Sequence, residues 1–110
     1  MINRILQKQI ELDFNRKKVQ LIFGARQTGK STLAEMVFNN FSGKKVWLNA
    51  DDNSVRAQFE KVDGLQLNRI FGGTNLVVID EAQRLTNAGL TLKILADQLK
   101  HLNVIATGSS

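Results

Sequence analysis

The sequence has no cysteine, no proline and a single histidine, His101. Without cysteine there are no disulfide staples and no thiolate zinc sites. One histidine excludes an imidazole-rich metal centre but leaves carboxylate sites open. Long hydrophobic runs are missing too. The longest fully apolar run, residues 76–79, is four residues, against the roughly 20 that a membrane span needs. The amino-terminal MINRILQKQIELDF lacks the apolar core of a secretion signal. There is no internal repeat, no low-complexity segment and no evident linker. These absences lead us to expect a cytoplasmic domain with no membrane partner.

What remains is ordinary globular material. The 110 residues are 43% hydrophobic and 23% charged, and their number fits one domain. Fifteen Lys and Arg against ten Asp and Glu give a net charge of +5. That balance suits a polyanionic partner, whether nucleotide phosphate, nucleic acid or an acidic protein. The basic clusters are only Arg16-Lys17-Lys18 and Lys44-Lys45. They read as solvated surface, so the charge allows DNA without indicating it.

Apolar periodicity orders the chain. Ile2, Ile5, Leu6 and Ile10 sit at helical spacing, which predicts an amphipathic helical segment within residues 1–17, ahead of a core over 18–110. Residues 19–23 read as a strand, and Leu33, Ala34, Val37, Phe38 and Phe41 as one face of a helix stopped by Ser42-Gly43. Residues 45–50 read as a second strand. Asp51-Asp52-Asn53 offers capping chemistry for a helix bearing Val55, Phe59 and Val62. A short helical turn is expected around Leu67, Ile70 and Phe71, ending at Gly72-Gly73. Residues 76–79 are apolar at every position, the mark of a strand buried on both faces. A helix with Leu92, Leu95, Ala96 and Leu99 on one side leads to a fourth strand at 103–106. Strands alternating with helices predict an α/β fold with a parallel sheet covered on both faces.

The chemistry begins at GARQTGKS, residues 24–31, which fits G-x-x-x-x-G-K-[ST] at every defined position. A loop that wraps a triphosphate must converge several backbone N–H groups on oxygen, and glycines let the backbone approach. The helix that follows lends unpaired N–H groups and the positive end of its dipole. The candidate phosphate-binding set is therefore Gly24, Ala25, Arg26, Gln27, Thr28, Gly29, Lys30 and Ser31, with Thr32 next to them. Lys30 can reach the β- and γ-phosphates, and the Ser31 hydroxyl can ligate Mg²⁺. Arg26 and Gln27 fill variable positions, where exposed loop side chains are the plain alternative.

Fifty residues after Lys30, the apolar strand runs into Asp80-Glu81. An acid at the carboxyl end of a buried strand lies where open α/β sheets bind ligands. Asp80 is the second candidate for the Mg²⁺ shell, and Glu81 is placed to polarise a water attacking the γ-phosphate. Ordinary helix capping is the competing explanation for such an acid pair. After the fourth strand, Thr107-Gly108-Ser109-Ser110 offers hydroxyls that could sense the γ-phosphate, although the same residues make a generic loop.

GARQTGKS, VVIDEAQRL and IATGSS, in that order and spacing, resemble the P-loop ATPases of the AAA superfamily. More narrowly they resemble bacterial and archaeal ATPases with a GxRQxGK loop and a DE-x-Q box. The resemblance implies a three-layer α/β/α domain that binds ATP with Mg²⁺ and hydrolyses it. It implies Glu81 as catalytic carboxylate, with Lys30 and Thr107 completing the catalytic set and Thr107 acting as sensor. It further implies a sheet in which the strand before the phosphate loop lies between a fifth strand and the strand ending at Thr107. The fifth strand, an arginine finger and a C-terminal domain are not encoded before Ser110. The expectation is slow turnover and self-association through the edge of residues 19–23, or cover of that edge by the amino-terminal helix.

Other functions remain open at this level: a nucleotide-gated interaction module without significant hydrolysis, or a small-molecule kinase. A DE-box helicase would need a second lobe and a basic strand-binding channel, and neither is visible. Among lesser candidates, Gln83 could hold site water or cap its strand. Asp51 and Asp52 read as helix caps, with one of them facing the site as the alternative; Trp47 reads as core in preference to an adenine platform, and His101 as surface beside Lys100.

Overall fold

The computed structural model describes residues 19–24, 30–61 and 63–109. Four strands form one parallel sheet: β1 (Val19–Gly24), β2 (Lys45–Asn49), β3 (Leu76–Asp80) and β4 (Asn103–Ser109), in the order β1-β4-β3-β2. The helices are α1 (Lys30–Asn40), α2 (Asn53–Gln58), α3 (Gly64–Phe71) and α4 (Ala88–Gln98). A 3-10 turn at Ala82–Arg84 follows β3. This is the expected α/β class, and β1 pairs with β4, the strand that carries Thr107. The predicted amino-terminal helix and Val62 lie outside the described residues. Among those described, no helix is long and apolar enough to cross a membrane.

Side chains alternate across a strand, so one sheet sorts its residues into two cores. Leu76, Val78 and Ile105 pack with Leu33, Ala34 and Val37 of α1 on one face. On the other, Val77, Ile79, Val104 and Ala106 pack against Val55, Phe59, Leu67, Phe71, Leu95 and Leu99 from the remaining helices. The Phe59 and Phe71 rings stack there, 6.0 Å apart. Residues 76–79 are wholly buried, as an all-apolar central strand requires.

Two connections explain the ends of α1 and β2. Gly43 has φ +135°, a left-handed conformation that side chains resist, and a Cβ there would press on Phe41 and Asn75. Lys45 then opens β2 and turns its ammonium back on the end of α1. Its Nζ donates to the carbonyls of Phe38 (2.8 Å), Asn39 and Phe41 (3.4 Å each). It also lies 4.9 Å from the centre of the Phe38 ring, which meets Trp47 edge-on. A cation thus satisfies carbonyls that a helix end leaves without partners.

Three expectations need adjusting. The fourth strand runs on to Ser109, because Ile22, Phe23 and Gly24 of β1 pair with Thr107, Gly108 and Ser109; the sensor candidate is on a strand and not in a loop. The turn around Leu67 is an eight-residue helix, capped by the Asp63 side chain on the Leu65 N–H. His101 is half-buried, its Nε2 3.2 Å from the Phe71 carbonyl, because the chain turns into β4 beside the end of α3.

Candidate functional site

All four strands point the same way, so the end of β1, the sensor segment and the acid pair share one end of the sheet. Helix α1 begins at Lys30, just beyond the carboxyl end of β1. Asp80 and Thr107 continue the stripe that includes Val78 and Ile105, which is the face covered by α1. The start of α1, Asp80 and Thr107 therefore belong to one corner. The backbones of Lys30, Ser31 and Thr32 open α1, and their side chains are outside the description, as are residues Ala25, Arg26, Gln27, Thr28 and Gly29 altogether.

The Thr107 hydroxyl is fully buried and donates to Asp80 Oδ1 at 2.5 Å. Adjacent parallel strands bring these two side chains together, since Ile79 pairs with Ala106 one residue earlier. Asp80 is half-buried at the strand end. A single carboxylate at a strand end, as at Asp80, is the kind of protein ligand Mg²⁺ takes, since it keeps several waters and few protein ligands beside substrate phosphates. Among the described residues no cluster of three or more carboxylates or imidazoles could make an all-protein cage.

Glu81 departs from the strand. Its backbone is left-handed, φ 55° and ψ 44°, the one non-glycine residue with positive φ among those described. It is 8% exposed and makes no capping bond to the turn that follows, so helix capping does not explain it. Gln83 Nε2 instead donates to Glu81 Oε1 at 2.7 Å. The turn itself is fastened independently, by Arg84 N–H to the Glu81 carbonyl (2.9 Å) and Leu85 N–H to Ala82 (3.1 Å). Ala82 and Leu85 are buried below it.

The end of β2 lies beside the end of β3, Asn49 pairing with Asp80. Asp52 caps α2 through the Ser54 N–H at 2.9 Å, and that bond holds its carboxyl below the ordinary range. Asp51 faces Arg84 Nε at 3.4 Å across exposed surface. Asp52 is thus the helix cap that the sequence suggested, whereas Asp51 pairs with Arg84 instead of capping. The Gln83–Glu81 contact was not foreseen, for residues two apart meet neither on a helix face nor along a strand. It arises from the left-handed turn at Glu81, which leaves no mark in the apolar pattern.

A profile of the family described as "AAA domain" matches residues 16–110. The chain belongs to the AAA domain family. This AAA domain is also 30% identical over 71 residues to the replication factor C large subunit of Methanosarcina mazei. The aligned stretch is 63% of this chain but 12% of that protein, so the AAA domain spans a small part of its relative's length. At family level this makes it a nucleotide-binding module of ATPase type.

Proposed function

We propose that this AAA domain binds ATP with Mg²⁺ and hydrolyses the β–γ phosphoanhydride. The observation that carries the proposal is the corner itself. A buried Glu81 carboxylate, unused for capping, stands beside an Asp80–Thr107 pair on the face where α1 begins. The relative's name, replication factor C large subunit, supports an AAA-type role for the shared stretch.

In this reading residues 24–31 wrap the triphosphate, with backbone N–H groups and the Lys30 ammonium meeting its charge. Bound Mg²⁺, with Ser31 and Asp80 as its protein ligands, would supply charge neutralisation at the β- and γ-oxygens. Thr107 fixes Asp80 and reports on the γ-phosphate. Glu81 takes a proton from the attacking water, a role that needs a carboxylate within hydrogen-bond reach. Residues 18–110 make up this core.

The test is calorimetric titration of Mg²⁺-ATP with parallel phosphate release, with and without DNA. Lys30→Ala should weaken ATP binding by about a hundredfold, since a charge-assisted contact is lost. Equal affinity in wild type and Lys30→Ala contradicts the assignment.

A further inference from the structure

We propose that Gln83 is the positioning residue of this site, holding the Glu81 carboxylate in the orientation from which it acts on water. The inference rests on the hydrolytic reading above and adds a residue to it.

A glutamate has three rotatable side-chain bonds, and a proton acceptor displaced by an ångström loses most of its effect. Something must fix it. An ionised carboxylate only accepts hydrogen bonds, so the amide face turned to Glu81 is its NH₂ group. That donor sits 2.7 Å from Oε1. Being neutral, it orients the carboxylate without matching it with a full opposite charge, which an arginine or lysine at this place would do.

The backbone is arranged for this contact. Left-handed φ is unfavourable for a residue with a Cβ, and glycine or asparagine would relieve most of that strain. An acid is kept there instead, and strain of this kind gathers at functional sites. The left-handed turn is what brings side chains two apart into contact. Gln83 is not needed to close the turn, since the Arg84 and Leu85 N–H groups and the buried Ala82 and Leu85 already do so. Gln83 is itself exposed, so its truncation opens no core cavity.

The experiment measures kcat, KM and ATP affinity for wild type, Gln83→Met, Gln83→Ala, Glu81→Gln and the Glu81→Gln/Gln83→Met double variant. Methionine keeps the length and removes the donor. The expected result for both Gln83 variants is a 10- to 100-fold fall in kcat. KM and ATP affinity should stay within about twofold of wild type, with an unchanged melting transition. In the Glu81→Gln background, Gln83→Met should cause no further loss, because it acts only through the carboxylate. Full kcat in Gln83→Met and Gln83→Ala, beside an inactive Glu81→Gln, overturns the Gln83 role and leaves the hydrolytic reading standing. So does a fall in kcat that tracks lost ATP affinity. Wild type no faster than Glu81→Gln overturns the hydrolytic reading, and the Gln83 role with it.

Discussion

The amino end of the sheet and the carboxyl ends of β3 and β4 use polar side chains differently. At the amino end they bond to backbone. Lys45 meets the carbonyls of Phe38 and Asn39 in α1 and of Phe41 just past it, Asn75 Oδ1 accepts from the Lys44 N–H, Asn103 Nδ2 donates to the Asn75 carbonyl, and His101 meets that of Phe71. At the carboxyl end of β3 and β4 they bond to each other, Thr107 to Asp80 and Gln83 to Glu81. Most side-chain hydrogen bonds in proteins go to backbone or water. An end that spends them on backbone is closing helices and turns. An end that pairs acids with hydroxyl and amide, around a left-handed acid, fits the site proposed above.

The comparison breaks if the two ends respond alike to substitution. Beyond the Lys30, Glu81 and Gln83 variants above, the largest effect is expected from Thr107→Val, which keeps the shape and deletes the bond to Asp80. Turnover should fall roughly tenfold or more, equivalent to about 1.4 kcal/mol in the barrier, with little change in unfolding midpoint. Phosphate release and urea denaturation on the same sample check it.

Lys45→Met should do the reverse. Losing the bonds to the α1 carbonyls and the contact with Phe38 should cost about 1–2 kcal/mol of stability. Helix α1 begins at the other end of the sheet, so ATP affinity by calorimetry should stay within about twofold. A variant that loses affinity without losing stability would place Lys45 in the wrong group.

The smallest effect sharpens the line between site acids and structural acids. The folded-state pKa of Asp52 is depressed by its hydrogen bonds to Ser54, so its contribution to stability is present above the ordinary carboxylate range. That contribution is lost as pH falls through the folded value. Wild type and Asp52→Asn should therefore differ slightly in denaturation midpoint at pH 7 and converge as pH falls below the folded-state value of Asp52. Turnover should be the same in both. A midpoint difference that persists at low pH would show that Asp52 acts by something other than its charge.

The fold was legible because residues 76–79 are apolar throughout and α1 carries an unbroken stripe from Leu33 to Phe41. The corner was legible in part, since an acid after a buried strand follows the same period as the strand itself. What could not be read depends on backbone dihedrals and on pairing across strands. The left-handed Glu81 brings Gln83 onto its carboxylate. The pairing of β1 with β4 extends the strand through Thr107 and Gly108, residues that by composition look like a loop. The expected self-association through β1 is a property of the assembled protein. In the sheet described, β1 is the terminal strand beside β4.

The central claim is that Glu81 acts on the bound triphosphate and does not grip it. A single-turnover quench tests it directly: Mg²⁺-ATP is bound to Glu81→Gln in excess protein, the mixture is quenched over time, and ATP and ADP are separated. The account predicts wild-type affinity with ATP remaining intact, its cleavage slowed by about a hundredfold or more. Cleavage at the wild-type rate, or loss of ATP binding together with cleavage, would contradict it.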